Sequence, residues 1–435
     1  MQKMQKPHTL AQARLPTWLL PADWPQVKGL PVLADIGLQS GRVASIAPHS
    51  ASTLKTEGVV DLHGAPVLPG LVDAHTHLDK TFTLPRIGKV KPGLLAAIDA
   101  IALDRDKWTA TDIFERANQG LQWAYEAGVT HLRTHCDWKD SATAAPLAWS
   151  VLCELEQQWR GRITLERVNI TPLTMYAHLD DAMALAKLVA ASGPGGKLGG
   201  FVHSTNWDAH ALRHLLQAAQ HLGLGVDLHV DEELNPAAQG LATTAELMKE
   251  LGFEGRVVCG HTCALAAQTT AQALATLDAV AQLPITMITL PMANLLLQDA
   301  VTGVTPKQRG VTLTQEARAR GIPLLIASDN VQDPFCAVGS YDPLEAFSAG
   351  VLAAQLSPAF DVWTEALCRA DWLNSSAPCL PMQVGAPADL LVFAAANSSG
   401  FPSRHQPRVV VRDGQVTSGQ WPENGSSKAG LKPAY

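Results

Sequence analysis

PVLPGLVDAHTHLDK, residues 66–80, is the stretch that decides the reading of this chain. Its first half is apolar enough for a buried strand, and its end carries two histidines two residues apart. In extended backbone, alternate residues point to the same face, so His75 and His77 can reach one point in space. A His-x-His pair by itself is common in solvated loops. Here the apolar lead-in Pro66–Val72 puts the pair at the end of a core strand, and both imidazoles read as ligands of one metal ion.

Working outward, seven more short apolar runs follow: Thr130–Thr134, Ile163–Thr171, Gly199–His203, Gly225–Val230, Arg256–Gly260, Ile285–Leu290 and Ile322–Ala327. Helix-like stretches lie between them, such as Ala110–Ala127, Asp208–Leu222, Thr243–Leu251, Ala266–Ala279 and Thr314–Arg320. Strand and helix alternating eight times predicts a (β/α)8 TIM barrel over residues 66–379. The chain ends differ. Val32–Ile46, Gly58–Asp61, Asp389–Phe393 and Arg408–Arg412 read as short strands, the last followed by an Asp413-Gly414 turn. Residues 1–65 and 380–435 are therefore expected to meet as one small discontinuous β-domain, a sandwich beside the barrel, with a loose polar tail from Ser418.

In a barrel the C-terminal ends of different strands converge on one site. This chain supplies His75 and His77 after strand 1, His135 and Asp137 after strand 2 and His203 after strand 4. It supplies His229, Asp231 and Glu232 after strand 5, His261 after strand 6, and Asp329 and Asn330 after strand 8. His229 sits beside two carboxylates, where burial without function is costly, so it reads as a further ligand with Glu232 as proton carrier. Asp329 follows a fully apolar run, and a buried carboxylate there needs a cation. His261 alone leaves the choice open. Asp231 and Asp137 can orient a histidine or cap the next helix. His203, His178 and His63 read as structural or peripheral. Trp138, Asn169, Trp207, Gln298, Asn330 and Phe335 are placed to line a substrate pocket, although the aromatics fit a core equally well. Lys80 reads as a partner of Asp79, with the pocket as its other destination.

Nitrogen and oxygen donors without thiolates suit one Zn2+ or Fe2+ ion, and three histidines plus one carboxylate leave a position for water. Water on such an ion becomes hydroxide near neutral pH.

Composition excludes several classes. The formal net charge of -7 is spread without like-charge blocks, so no nucleic-acid surface or polybasic membrane patch is indicated. No apolar run reaches a membrane span. The seven cysteines form no C-x-x-C pair, which argues against a disulfide framework or thiolate zinc site and fits a reducing cytoplasm. Hydrophobic residues at 47% would permit a homo-oligomer.

The stretches PGLVDAHTHLDKTF, HLRTHCD, VDLHVDEE, VCGHT, LPMANLLLQ, ASDNVQDPF and GAPADLLVF, in that order, resemble the amidohydrolase superfamily, in particular its cytosine-deaminase-like branch. The resemblance implies that His75, His77, His229 and Asp329 bind one divalent metal. It implies that Glu232 shuttles protons and that His261 hydrogen-bonds the attacking hydroxide and the developing oxyanion. Relatives with two metals carry a carboxylated lysine at the end of strand 4; here Lys197 precedes the expected strand, so a single metal is expected. Two positions depart from cytosine deaminases. Pro172 stands where they carry a glutamine, and Asn330 follows the metal-binding aspartate where they carry a second aspartate. An amide donates as well as accepts, so the preferred ring edge should differ. HLDK-TF and SDN look more like triazine-degrading relatives that hydrolyse N-alkyl ammelides, but those lack the Asp231-Glu232 pair. The implied reaction is deamination of a small, cytosine-like nitrogen heterocycle: metal-bound hydroxide attacks an sp2 carbon and ammonia leaves. The alternative is release of an alkylamine from an N-alkyl triazine, or opening of a cyclic amide.

Overall fold

The structure, a computed structural model, describes residues 8–139, 141–374, 379–405 and 407–422. Eight parallel strands pair in chain order: Leu71–Thr76, Val129–Asp137, Thr164–Ile170, Gly196–Val202, Val226–Val230, Val257–His261, Ile285–Thr289 and Leu324–Ile326. A bridge between Thr76 and Asp329 joins the first strand to the end of the eighth, and the Asp329 N–H donates to His75 O at 2.9 Å. The sheet is thus drawn round into the expected TIM barrel.

Alternation along the strands builds two layers. Leu71, Val257, Met287 and Leu324 pack outward in the core shared with the helices. Val72, Val258, Ile288 and Leu325 belong to a separate apolar cluster inside the barrel. Ala110–Ala127 shows why the outer helices form where they do. Thr109 caps it by accepting from the Asp112 N–H, Gly128 ends it at φ 93°, and Ile113, Ala117, Leu121 and Ala124 fall on one buried face. Burying a side chain such as Ile113 or Leu121 is worth roughly 1.5–3 kcal/mol.

Both chain ends form the small β-unit. One sheet holds Thr9–Ala13, Ala34–Gln39, Arg42–Pro48 and Val59–Asp61. The other holds Val67–Pro69, Leu390–Val392, Val409–Arg412 and Gln415–Ser418. Leu10, Ile36, Val67, Leu390 and Val411 share one buried cluster between them. Asp413 and Gly414 both take positive φ, as the expected tight turn requires. The tail beyond residue 422 lies outside the described residues.

Three strand boundaries differ from expectation. The run Pro66–Ala74 divides: Val67–Pro69 pairs antiparallel with Leu390–Val392, and only Leu71–Thr76 joins the barrel. Gly70 makes the division possible, since a Cβ there would lie 2.3 Å from Thr130 Cγ2. Thr9–Ala13 has no strand signal, because TLAQA lacks β-branched and aromatic residues beyond its first threonine. It is nevertheless the strand between Ala34–Gln39 and Val59–Asp61. The fourth barrel strand begins at Gly196, so Lys197 lies within it and not before it. Its glycines had masked the strand's start. Lys197 sits near the strand's beginning, with Nζ 3.3 Å from Glu166 Oε1, far along the strand from the end where the site lies. All seven cysteines are unpaired. Among the described residues, no helix is long and apolar enough to cross a membrane.

Candidate active site

His75, His77, His229 and Asp329 come from strands 1, 5 and 8, and the barrel brings their donor atoms together. His229 Nε2 lies 3.1 Å from His75 Nε2 and 3.3 Å from His77 Nε2. Asp329 Oδ1 lies 3.2 Å from His77 Nε2 and 3.7 Å from His75 Nε2. All four residues are buried. The backbone is bent to achieve this: Asp231, His261, Thr262 and Asp329 all take positive φ at strand ends. Such conformations cost on the order of 1–3 kcal/mol each for non-glycine residues and cluster at functional sites. Glycine at position 260 lets the His75 ring lie against strand 6, since a Cβ there would sit 3.0 Å from the imidazole.

The electrostatics of this cluster are unbalanced. Burial, followed by the neighbouring imidazoles, pushes His75 and His229 well below the usual histidine range. Burial and then Lys80 do the same to His77. Burial, followed by Asp333, pushes Asp329 well above the usual carboxylate range. Among the described residues neither carboxylate oxygen of Asp329 has a hydrogen-bond partner, at 1% exposure. An unsatisfied buried carboxylate costs several kcal/mol, which a cation held by the same oxygens would remove. Neutral imidazole nitrogens and a carboxylate around one point are a donor set that fits a divalent ion.

Glu232, the residue after the strand-5 turn, is buried beside this cluster, its Oε1 3.3 Å from His261 Nδ1. Burial, then the charge of Asp329, pushes its carboxyl well above the usual range, which suits a group that must both take and give a proton. His261 is pushed down to about 3 by burial, so its ring is neutral at working pH. Asn294 Nδ2 donates to His261 Nδ1 at 3.0 Å; in that arrangement the ring proton sits on Nε2, which has no partner among the described residues.

The other expected residues divide into two groups. Asn330 is buried at the end of strand 8, its Nδ2 donating to Asp333 Oδ2 at 2.6 Å. Gln298 donates from Nε2 to Glu232 O at 3.2 Å and lines, with Glu232, Leu94 and His203, a cleft of about 710 Å3. Trp138 and Asn169, by contrast, are committed to the scaffold. Trp138 packs on Trp149 with its indole N–H on Ser141 O at 2.8 Å. Asn169 accepts from the Gly199 N–H and donates to Thr171 Oγ1 and Tyr176 Oη, leaving no group for a ligand. Trp207 is exposed. Asp231 accepts from the Gly240 and Leu241 N–H groups, both at 3.0 Å, and so caps the helix Gly240–Leu251. The buried partner of Lys80 is Asp137, at 2.7 Å, in place of the expected Asp79.

One imidazole was not among the proposed ligands. His135 lies 3.8 Å from the His75 ring, centre to centre, and its donor atom falls within the same cluster. Its Nε2 is 3.3 Å from Asp227 Oδ1. The signal for it was the alternation Arg133, His135, Asp137, which puts three polar side chains on the barrel-facing side of strand 2.

The site is that of a hydrolase acting on carbon–nitrogen bonds other than peptide bonds, as the comparisons bear out. Residues 58–147 and 172–418 match the model of the amidohydrolase family, and the chain belongs to that family. It is 37% identical over 404 residues to the pterin deaminase of Rhizobium rhizogenes (strain K84), covering 92% of this chain and 91% of that protein. It is 25% identical over 235 residues to the N-isopropylammelide isopropyl amidohydrolase of Pseudomonas sp. (strain ADP), covering 52% of this chain and 57% of that one. The structure of 5-methylcytosine deaminase from Klebsiella pneumoniae liganded with 5-fluorocytosine has the same fold, with TM-score 0.76 and 24% identity over 96% of this chain and 98% of that one.

Proposed function

We propose that the chain is a metal-dependent hydrolytic deaminase of an amino-substituted nitrogen heterocycle, with a pterin as the preferred ring. The observation that carries the reaction type is Glu232, buried between the imidazole–carboxylate cluster and His261. The ring preference rests on the 37% identity with a pterin deaminase over nine-tenths of both chains. The cleft of about 710 Å3 accommodates a bicyclic ring as well as the cytosine-like ring suggested by sequence motifs.

His75, His77, His229 and Asp329 would hold one Zn2+ or Fe2+ ion, whose Lewis acidity makes water nucleophilic at neutral pH. Glu232 moves the two protons of the attacking water in turn, one to the ring nitrogen and one to the exocyclic nitrogen, which leaves as ammonia while the ring carbon becomes a carbonyl. His261 donates from Nε2 to the oxygen that gains charge on attack. Asn330, its amide nitrogen held by Asp333, presents its carbonyl oxygen to a ring N–H. Gln298 orients the loop carrying Glu232 through that residue's backbone carbonyl.

The test is ammonia release by metal-quantified protein from pterin, cytosine and 5-methylcytosine, run beside an assay for alkylamine from N-isopropylammelide. Ammonia from pterin above the pyrimidines, abolished in Glu232→Gln, is the expected result. Alkylamine release with no ammonia from any ring would move the chain to the N-alkyl triazine reading.

A further inference from the structure

Lys80 is a buried cation with more donors than the protein uses. A lysine ammonium carries three N–H groups. Nζ of Lys80 donates to Asp137 Oδ1 at 2.7 Å, its one hydrogen bond among the described residues, and the side chain is 3% exposed. Two donors of a buried charge are therefore left without an acceptor among the described residues, a costly state for a buried cation.

Arg105 meets the other carboxylate oxygen of Asp137, and the Asp137 backbone N–H is held by Asp79 Oδ2 at 2.9 Å, so the end of strand 2 is anchored by partners besides Lys80. The opposite side of the ammonium faces the loop after strand 8, where Nζ lies 5.0 Å from the centre of the Phe335 ring. Phe335 packs with Leu94 and Leu297, and these two line the cleft that also contains Glu232. Lys80, just past strand 1, is thus a buried positive charge tied to strand 2 through Asp137 and set against Phe335, whose apolar neighbours line the cleft.

We propose that Lys80 determines substrate specificity by donating to a hydrogen-bond acceptor on the bound heterocycle, a ring carbonyl oxygen in a pterin. The inference rests on the heterocycle-deaminase reading above. A site built to donate to a buried oxygen discriminates strongly against an analogue that lacks it, because the donor is then left unpaired. The contrasting role is structural: an ion pair that merely ties strand 1 to strand 2.

The test compares pterin with 2,4-diaminopteridine, in which an amino group replaces the ring carbonyl, in wild type, Lys80→Met and Lys80→Arg. Where the diamino compound binds without turnover, its inhibition constant stands for its kcat/KM. Lys80→Met is expected to lower kcat/KM for pterin by about 10–100-fold, mostly through KM, and to leave the diamino compound nearly unaffected. Lys80→Arg keeps the charge beside Asp137 but shifts its donors; it should hold Tm and still raise KM for pterin, which covers the case in which Lys80→Met does not fold. Equal losses on both compounds in Lys80→Met, or full pterin activity in Lys80→Arg together with an unmoved substrate ratio, would overturn the inference. A wild-type protein that deaminates neither compound overturns the deaminase reading, and the inference with it. A wild type that deaminates pterin while the ratio stays fixed in the variants overturns the inference alone.

Discussion

Two groups of buried ionisable side chains occupy the same barrel, and they are built on opposite principles. Deep between strands 2, 3 and 5, Arg133 pairs with Glu166 at 2.7 Å and Asp227 at 2.8 Å and donates to Leu373 O at 3.0 Å. Glu166 also meets Lys197 and Asn374. Burial raises the Glu166 carboxyl, but Arg133 and then Lys197 outweigh it and hold the group at about 2. At the C-terminal end of the strands, the donor atoms of His75, His77, His135 and His229 crowd one another, and among the described residues neither oxygen of Asp329 has a hydrogen-bond partner. In the first group the protein's own cations meet each carboxylate, although burial still pushes Asp227 up to about 7 against Arg133. The second is not closed in this way, and on the proposed reading a divalent ion completes it. The difference separates a structural ion network from a metal site: what matters is whether each charge has its opposite within the fold, since buried charge alone marks both.

The comparison can be broken most sharply at the open group. Glu232→Gln removes the proton carrier but keeps shape and hydrogen bonding, so kcat should fall by roughly 10²–10⁴-fold with metal content and Tm unchanged. A loss of metal in parallel with activity would instead assign Glu232 to the ligand set. At the closed group the consequence is stability. Arg133→Met leaves Glu166 and Asp227 buried without their shared cation and should cost about 3–5 kcal/mol, read from denaturant unfolding. A smaller change there would mean that the network is solvated and that the contrast drawn above is false.

The fold was legible wherever apolar periodicity carried it. Ala110–Ala127 matches its expected helix end for end, because its buried face, its threonine cap and its terminal glycine all agree. The grouping of the proposed site was legible because strand ends converge in a barrel, so His75, His77, His229, Glu232, His261 and Asp329 could be placed together before any distance was known. What was illegible depended on partners far away in sequence. Thr9–Ala13 is a strand only because it is sandwiched between Ala34–Gln39 and Val59–Asp61. Trp138 and Asn169 lie on the right strands, but their polar groups are consumed locally by Ser141, Thr171, Tyr176 and Gly199. Lys80 could be matched to Asp79 or to the pocket from sequence, and only the approach of strands 1 and 2 selects Asp137.

Two smaller effects sharpen the contrast. The folded state holds His261 at about 3, below its unfolded value near 6.5, so the unfolded chain binds its proton first as pH falls. The neutral ring's contribution is therefore present above pH of about 6.5 and is lost progressively toward about 3. His261→Gln should flatten part of that acid slope in a pH series of unfolding free energies, and an unchanged slope would place the titration elsewhere. Asp231→Asn removes charge from the cap of Gly240–Leu251 and should cost about 1 kcal/mol while sparing metal binding and kcat. A large kcat loss would show that the cap also sets the position of the adjacent Glu232.

The most direct test of the central claim is metal stoichiometry by elemental analysis, with Tm measured before and after chelation, in wild type and Asp329→Asn. The account predicts close to one zinc or iron per wild-type chain, a fall in Tm when it is removed, and weak or no retention in Asp329→Asn. A wild-type chain that retains no ion after exposure to zinc or iron, with a Tm indifferent to chelator, would contradict it.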